Sequence, residues 1–142
     1  MTTASAGVAA AVAFAWLGMV LGISFLEAPL KFRAPGVTLV LGLGIGRIVF
    51  GALNRVEVGA LAVLATAVAL ASPGPVLIVL TVLLAALVAV QLLGVRPRLN
   101  VRSDRVLAGE DVPRSREHLV YVACEVAKVA LLVATGVVVL GS

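Results

Sequence analysis

The chain has 142 residues, of which 62% are hydrophobic and 13% are charged, whereas a soluble globular domain has about 45–50% apolar and about 25% charged residues. This composition excludes a water-soluble domain as the main body of the protein. The net charge of +4 does not indicate nucleic-acid binding, because no soluble domain remains to present a basic groove and the arginines lie beside apolar segments.

Four apolar stretches account for most of the chain, at about residues 7–28, 57–72, 75–94 and 118–141. Each is close to the ~20 residues that cross ~30 Å of hydrocarbon as a helix. We therefore predict an all-α integral membrane four-helix bundle that forms a single transmembrane domain over residues 1–142. The first stretch has no basic residues before it and exceeds the ~7–15 residues of a secretory signal, so we predict a retained helix.

The first helix ends in the sequence SFLEAPLKF, which contains Glu27, Pro29 and Lys31. Proline lacks an amide donor and disfavours helix at the preceding residue, so we expect a kink or a stop beside the acid. Glu27 could pair with Lys31, with Arg47 or with Lys128 of the last helix. The alternative is a carboxylate that ends the helix at the membrane interface.

The segment from Lys31 to Glu57 is rich in glycine and contains Arg47. It could cross the membrane as a fifth helix, or it could form a re-entrant or interfacial helix at about 36–54. We favour the second alternative, because an arginine in the middle of a span costs ~2.5–3.5 kcal/mol on insertion scales. Arg47, Asn54 and Glu57 recur at helical spacing and share one face.

Residues 72–75, SPGP, predict a tight turn between two antiparallel helices. The loop predicted at 95–117 holds six of the eleven basic residues, which places it in the cytoplasm by the positive-inside rule. Within this loop we expect a short surface helix that begins at Asn100 and stops at Gly109, and Ser115 is a suitable N-cap for the last helix.

The last helix carries four polar side chains, His118, Tyr121, Glu125 and Lys128, at spacings that place them on one face. Lys128 lies about 15 Å along the axis from His118, near mid-membrane. Because an ionisable group at that depth is costly in lipid, we expect this face to point into the bundle or into a wet cavity. It could form a polar route or binding site, or an ion pair that holds the helices together.

The sequence WLGMVLGISFLEAPLKF, the later GRIVFGALNRVE and an H-x-x-Y-x-x-x-E-x-x-K helix together resemble a group of small bacterial membrane proteins. That group shares a domain of unknown function and is akin to an animal four-helix transmembrane protein. The resemblance covers most of the chain and implies a four-helix bundle with a short amphipathic segment after the first helix. It implies no activity and no catalytic residues, and residues 37–53 are far more apolar here.

We predict a multi-pass protein of the plasma membrane, of transport or solute-handling type, in which Glu27, Arg47, Glu125 and Lys128 form a polar cluster within the membrane. A structural or accessory subunit that binds lipid or a partner protein is the alternative. We expect no enzymatic activity, no metal and no cofactor, with membrane lipids as partners and either a homo-oligomer or a larger complex. The candidate binding or transport residues are Glu27, Lys31, Arg47, Asn54, Glu57, His118, Tyr121, Glu125 and Lys128.

Overall fold

The structure, a computed structural model, describes residues 3–113 and 116–142. These residues form four long helices: α1 (Thr3–Arg33), α2 (Leu39–Leu70), α3 (Pro75–Leu107) and α4 (Arg116–Leu140). All four are long and apolar enough to cross a membrane. The prediction of an all-α protein with four membrane-length helices is therefore confirmed for the part of the chain that the structure describes.

The helices run up and down in chain order, because the described connections between them are short. α1 packs against α2 and α4, and α3 packs against the same two helices. This gives a four-helix ring in which α2 and α4 are diagonally opposite. A contact between α2 and α4 must therefore pass through the middle of the bundle.

The two ends of the bundle differ in charge. We call the end with the turn 71–74 and the C-terminus the neutral end, and the end with the connections 34–38 and 108–113 the basic end. Residues 1–26, 58–95 and 129–142 contain no charged side chain, whereas nine of the eleven basic residues lie within 31–47 or 96–116. Antiparallel packing brings those two basic segments to the same end.

An apolar core fills the bundle between the neutral end and its middle. Gly136 of α4 lies against the Phe14 ring, which would overlap any side chain at that position. At the turn, Pro75 begins α3, where its missing amide donor costs nothing. The buried core residues are Ala9, Ala10, Trp16, Val20, Leu64, Ala67, Val68, Leu77, Leu84, Val88, Leu132 and Val139.

Two helices contain a π-helical turn, at Leu21–Glu27 in α1 and at Gln91–Val95 in α3. The Ala28 amide donates to the carbonyl of Ile23, and the Arg96 amide donates to the carbonyl of Gln91. α1 therefore does not stop before Pro29, as one predicted alternative had it. It widens there and continues to Arg33, ending in a 3-10 turn.

The separate re-entrant or interfacial helix predicted at about 36–54 is not shown. α2 runs without a break from Leu39 to Leu70, and its start is capped by Thr38, whose Oγ1 accepts from the Leu41 amide at 3.1 Å. Gly42 and Gly46 allow the end of α1 to pack closely on this helix, because a side chain at either position would overlap Phe32 or Lys31. This packing offsets the low helix propensity of the glycines.

The loop predicted at 95–117 is mostly helical. α3 continues to Leu107, so Asn100 lies inside the helix and is not its N-cap. The stop predicted at Gly109 is confirmed: its φ is +92°, its amide donates to Val106, and the Glu110 amide donates to the Arg105 carbonyl at 3.1 Å. These bonds form a Schellman motif. The predicted cap at Ser115 lies outside the described residues.

Candidate functional site

Lys128 lies at the centre of a buried polar cluster. Its Nζ donates to Glu57 Oε2 at 2.6 Å and to Glu125 Oε1 at 2.7 Å. The three side chains are between 1% and 3% exposed. Because Glu57 belongs to α2 and Lys128 to α4, this ion triad crosses the middle of the bundle.

Three neutral side chains complete the cluster by donating to the two carboxylates. Trp16 Nε1 donates to Glu57 Oε2 at 2.8 Å. Gln91 Nε2 donates to Glu125 Oε1 at 2.7 Å, and Ser24 Oγ donates to Glu125 Oε2 at 2.6 Å. All four helices therefore contribute to one hydrogen-bonded network in the interior.

The two π-helical turns supply two of these donors. Ser24 lies in the turn of α1 and Gln91 begins the turn of α3, and both bond the Glu125 carboxylate. A π-helical turn inserts one extra residue into a helix and rotates the following side chains, and such turns are frequent at functional sites. Here the widened turns direct two polar side chains of apolar helices to the same acid.

The formal charges of the cluster do not balance. Two carboxylates face one ammonium, so the fully ionised triad carries one excess negative charge. Burying an uncompensated charge in a low-dielectric interior is expensive, and the neutral donors offset only part of that cost. The triad therefore has the capacity to accept one further positive charge.

A cavity of about 560 Å³ lies between the cluster and the basic end. All four helices line it, and Glu125 and Ser24 lie on its wall nearest the cluster. Lys128 does not line it. Glu125 is thus the ionic residue that belongs both to the buried triad and to the cavity.

The cavity wall is rich in basic and aromatic side chains. Lys31, Arg47, Arg96 and Arg102 line it together with the half-buried His118, whereas Glu125 is the one carboxylate among its described lining residues. Phe25, Phe32, Phe50 and Tyr121 supply aromatic surface. This composition suits a solute that combines negative charge with apolar surface.

Arg96 is held against two of these rings. The centre of its guanidinium lies 4.5 Å from the Tyr121 ring centroid and 5.0 Å from that of Phe50. The two rings meet edge to face, with their centroids 5.7 Å apart. Such cation–π contacts occupy the faces of the planar guanidinium and leave its N–H edge available.

The structure brings together some of the predicted site residues and separates others. Glu125 and Lys128 adjoin as predicted, Tyr121 is also buried, and Glu57 joins them. Glu27 instead pairs with Lys31 at 3.7 Å. Lys31 is one of the three partners predicted for Glu27, so that alternative is confirmed, whereas the prediction that Glu27 joins the buried cluster was wrong.

Arg47 was wrongly placed in the cluster as well. It pairs with Asp104 of α3 at the basic end and is exposed, because its position near the start of α2 lies well before the level of Glu57. Asn54, one turn before Glu57, is buried as the predicted helical face requires. Arg47 thus lines the cavity but does not reach the triad.

Four important residues were missed by the sequence analysis: Trp16, Ser24, Gln91 and Arg96. Trp16 packs in the core, as an apolar aromatic residue in the middle of a helix is expected to do, and its indole also bonds Glu57. Gln91 carried a usable signal, since it and Thr81 are the only polar side chains between residues 76 and 95. Ser24 and Arg96 gave no comparable signal.

Comparison with protein-family models, with curated proteins and with solved structures finds no match to this chain. Within residues 3–113 and 116–142, no three His, Cys, Asp or Glu side chains are grouped so that they could hold a metal ion.

Proposed function

We propose that the protein is a multi-pass plasma-membrane protein of transport or solute-handling type, in which proton binding at the buried triad is coupled to a solute in the cavity. The observation that carries this proposal is the double position of Glu125. Its carboxylate bonds Lys128 in the interior and also borders the cavity. A change in the charge of Glu125 therefore changes the electrostatic potential both in the triad and in the cavity.

The proton step follows from the charge balance. A proton from the cavity bonds to a carboxylate oxygen of Glu125, and the formal charge of the triad changes from minus one to zero. Lys128 then compensates Glu57 alone, and its hydrogen bond to Glu125 becomes weaker because the acceptor no longer carries a negative charge. Release of the proton restores the original pairing, so the cycle needs no other reactant.

The neutral end supplies the barrier that transport requires. Leu64, Leu84 and Leu132 are fully buried on the neutral side of the triad, and the cavity is lined instead by residues near the basic end. The described conformation therefore suits access from the basic end. Movement of a solute to the other side would need this apolar half to open.

The basic end is placed in the cytoplasm in this proposal, because Lys and Arg concentrate in cytoplasmic segments of membrane proteins. Labelling of Ser142→Cys with an impermeant thiol reagent tests the placement in cells that carry Cys124→Ser. We expect labelling of intact cells from outside. Labelling that requires permeabilisation would reverse the orientation.

Proton flux into liposomes tests the coupling. Purified protein is reconstituted with the pH dye pyranine inside, a potassium diffusion potential is imposed, and small carboxylates, phosphates, amines and amino acids are added in turn. We expect at least one solute to cause internal acidification with the native protein, and Glu125→Gln to abolish it. Glu110→Gln, which removes an exposed carboxylate at the basic end, is the matched control and should retain it.

One observation favours the second candidate, a structural or accessory membrane subunit. The triad and its three neutral donors link all four helices, and Lys128 does not border the cavity, as expected of a cluster that only holds helices together. Absence of solute-dependent acidification with every solute class, in a protein whose stability depends on the triad, would support this candidate. Kinship with the bacterial four-helix group and the lack of enzymatic activity stay predictions.

A further inference from the structure

Three buried polar atoms in the wall of the cavity make no hydrogen bond of good geometry within the described residues, although the Arg96 guanidinium and the Tyr121 hydroxyl lie close enough to interact with each other. They are Nε and Nη2 of Arg96 and the hydroxyl oxygen of Tyr121. Tyr121 is only 7% exposed, and both residues line the cavity. Unpaired buried donors are costly, so a ligand oxygen that accepts from them in the cavity would be bound favourably.

The two arginine atoms form one edge of the guanidinium. Nε–H and Nη2–H point in the same direction, and this edge matches the two oxygens of a carboxylate or phosphate. The rings of Phe50 and Tyr121 contact the guanidinium and limit its rotation. The edge is therefore fixed before a ligand arrives, which lowers the entropy lost on binding.

The other basic residues of the wall already have partners. Lys31 faces Glu27 at 3.7 Å, Arg47 pairs with Asp104, and Arg102 donates to the carbonyls of Val112 and Pro113. Within the described residues, Arg96 has no carboxylate within salt-bridge distance. It is thus the basic residue of the cavity that is best placed to bind an external anion.

We propose that the cavity binds an amphipathic oxyanion, with its carboxylate or phosphate on the Nε/Nη2 edge of Arg96 and the Tyr121 hydroxyl as a further donor. The apolar part of the ligand packs against the aromatic wall formed by Phe25 and Phe32, which are both exposed on the α1 side. The chemistry is shared by the headgroup of an anionic lipid and by a free organic acid or phosphate ester.

The level of the cavity fits such a ligand. About 20 residues of helix cross the hydrocarbon, and counting from the neutral end places the other boundary near Ser24, Phe50, Arg96 and Tyr121 of the four helices. The anion site would then lie where headgroups meet acyl chains. This inference names a ligand class for the cavity of the proposed function and rests on that cavity, but it does not require transport.

Binding in detergent tests the inference without any proton gradient. Protein in an uncharged detergent is titrated calorimetrically with octanoate and with phenyl phosphate, and native mass spectrometry measures retention of phosphatidylglycerol against phosphatidylcholine. We expect Arg96→Lys, which keeps the charge but removes the paired N–H edge, to weaken binding about tenfold. Tyr121→Phe should weaken it about threefold to tenfold.

Arg98→Lys is the matched control, because Arg98 is two residues away and 73% exposed. Its binding should equal that of the native protein, and circular dichroism should show equal helix content in all variants. Binding of the soluble anions alone assigns the site to a free acid or ester, and retention of phosphatidylglycerol alone assigns it to a lipid; either supports the inference.

Two results would overturn it: no binding in any arm, or equal losses in Arg96→Lys and Arg98→Lys, which would indicate diffuse surface charge. These failures are separable from failure of the proposed function. Anion binding without solute-dependent proton flux would contradict the proposed transport function and support the anion site. Flux that depends on Glu125, together with no binding that depends on Arg96, removes the anion site and keeps the coupling.

Discussion

The groove at the neutral end between α1 and α2 has a volume of about 550 Å³, and the cavity at the basic end has a volume of about 560 Å³. The groove has no ionisable lining residue among those described, and its Thr66 hydroxyl bonds the carbonyl of Ala62 in its own helix at 2.8 Å. The cavity has four basic side chains, Glu125 and unpaired donors. The two spaces therefore have nearly equal volumes but different linings. The ionisable side chains and unpaired donors of the cavity, and not its volume, make it the candidate binding site.

Different interactions stabilise the neutral half and the basic half of the bundle. The neutral half packs small and branched apolar side chains, and in a membrane such packing acts through close van der Waals contact more than through the hydrophobic effect. The basic half is joined through the ion triad and its donors. A substitution in one half should therefore leave the interactions of the other half unchanged.

The largest effect is expected from Lys128→Met, which removes the one cation from between two buried carboxylates. Breaking a buried ion pair by removing one partner costs about 3–5 kcal/mol. We expect the free energy of unfolding in mixed micelles to fall by about that amount. Replacing the whole triad, as Glu57→Leu with Glu125→Leu and Lys128→Met, should recover most of the loss, because no buried charge is left unpaired.

The double variant Glu125→Leu with Lys128→Met tests whether Glu57 is part of an ion triad or whether Glu125 and Lys128 form a pair without it. It leaves Glu57 with the Trp16 indole but without its cation, so its stability should lie below that of the triple variant. Equal stabilities of the double and triple variants would show that Glu57 is not coupled to Lys128.

In the neutral half, Leu132→Ala is expected to cost about 2–5 kcal/mol, since it opens a cavity in a fully buried position. Anion binding per folded molecule should not change, because the substitution does not touch the triad or the cavity. Thermal unfolding and anion binding measured on the same preparation check both statements. Leu140→Ala, at a 69% exposed position, is the control and should be nearly neutral.

An intermediate effect is expected for Gln91→Leu, which removes one neutral donor to the Glu125 carboxylate. Hydrogen bonds to charged groups contribute about 1.5–3 kcal/mol, so we expect the free energy of unfolding to fall by an amount in that range. Thr81→Val is matched in helix and burial, but Thr81 bonds only the carbonyl of Leu77 in its own helix. If both variants behave alike, the bond to Glu125 has no particular role.

The sequence was sufficient for what depends on local pattern. Apolar length predicted four spans, the SPGP turn predicted the antiparallel pair, and the 3, 4, 3 spacing predicted the buried face with Tyr121, Glu125 and Lys128. It was insufficient where a pattern is interrupted. A π-helical turn shifts the phase of every later side chain by one residue, so periodicity could not place Ser24 or Gln91 beside an acid.

Partner choice across the bundle was equally beyond the sequence. Glu57 and Lys128 are 71 residues apart. From the sequence alone, Lys128 could pair with any of the three acids Glu27, Glu57 and Glu125. Within the arginine-rich segment 96–107 a separate surface helix was expected to begin at Asn100, yet the whole segment extends a helix already begun at Pro75. Helix continuation needs no new nucleus, which is the costly step of helix formation.

The smallest effect is expected for Glu27→Gln at the edge of the cavity. Glu27 lies one turn before Lys31, its side chain is 36% exposed, and the 3.7 Å separation is too long for a hydrogen bond. Pairs of this kind on helix surfaces contribute about 0.2–0.5 kcal/mol, so unfolding should change by no more than about 0.5 kcal/mol. Anion binding should stay the same or rise slightly, because Lys31 loses its acidic neighbour and its charge becomes more available to a ligand. A loss of proton flux in Glu27→Gln as large as that in Glu125→Gln would contradict this ranking, and it would extend the proton pathway from the triad to the end of α1.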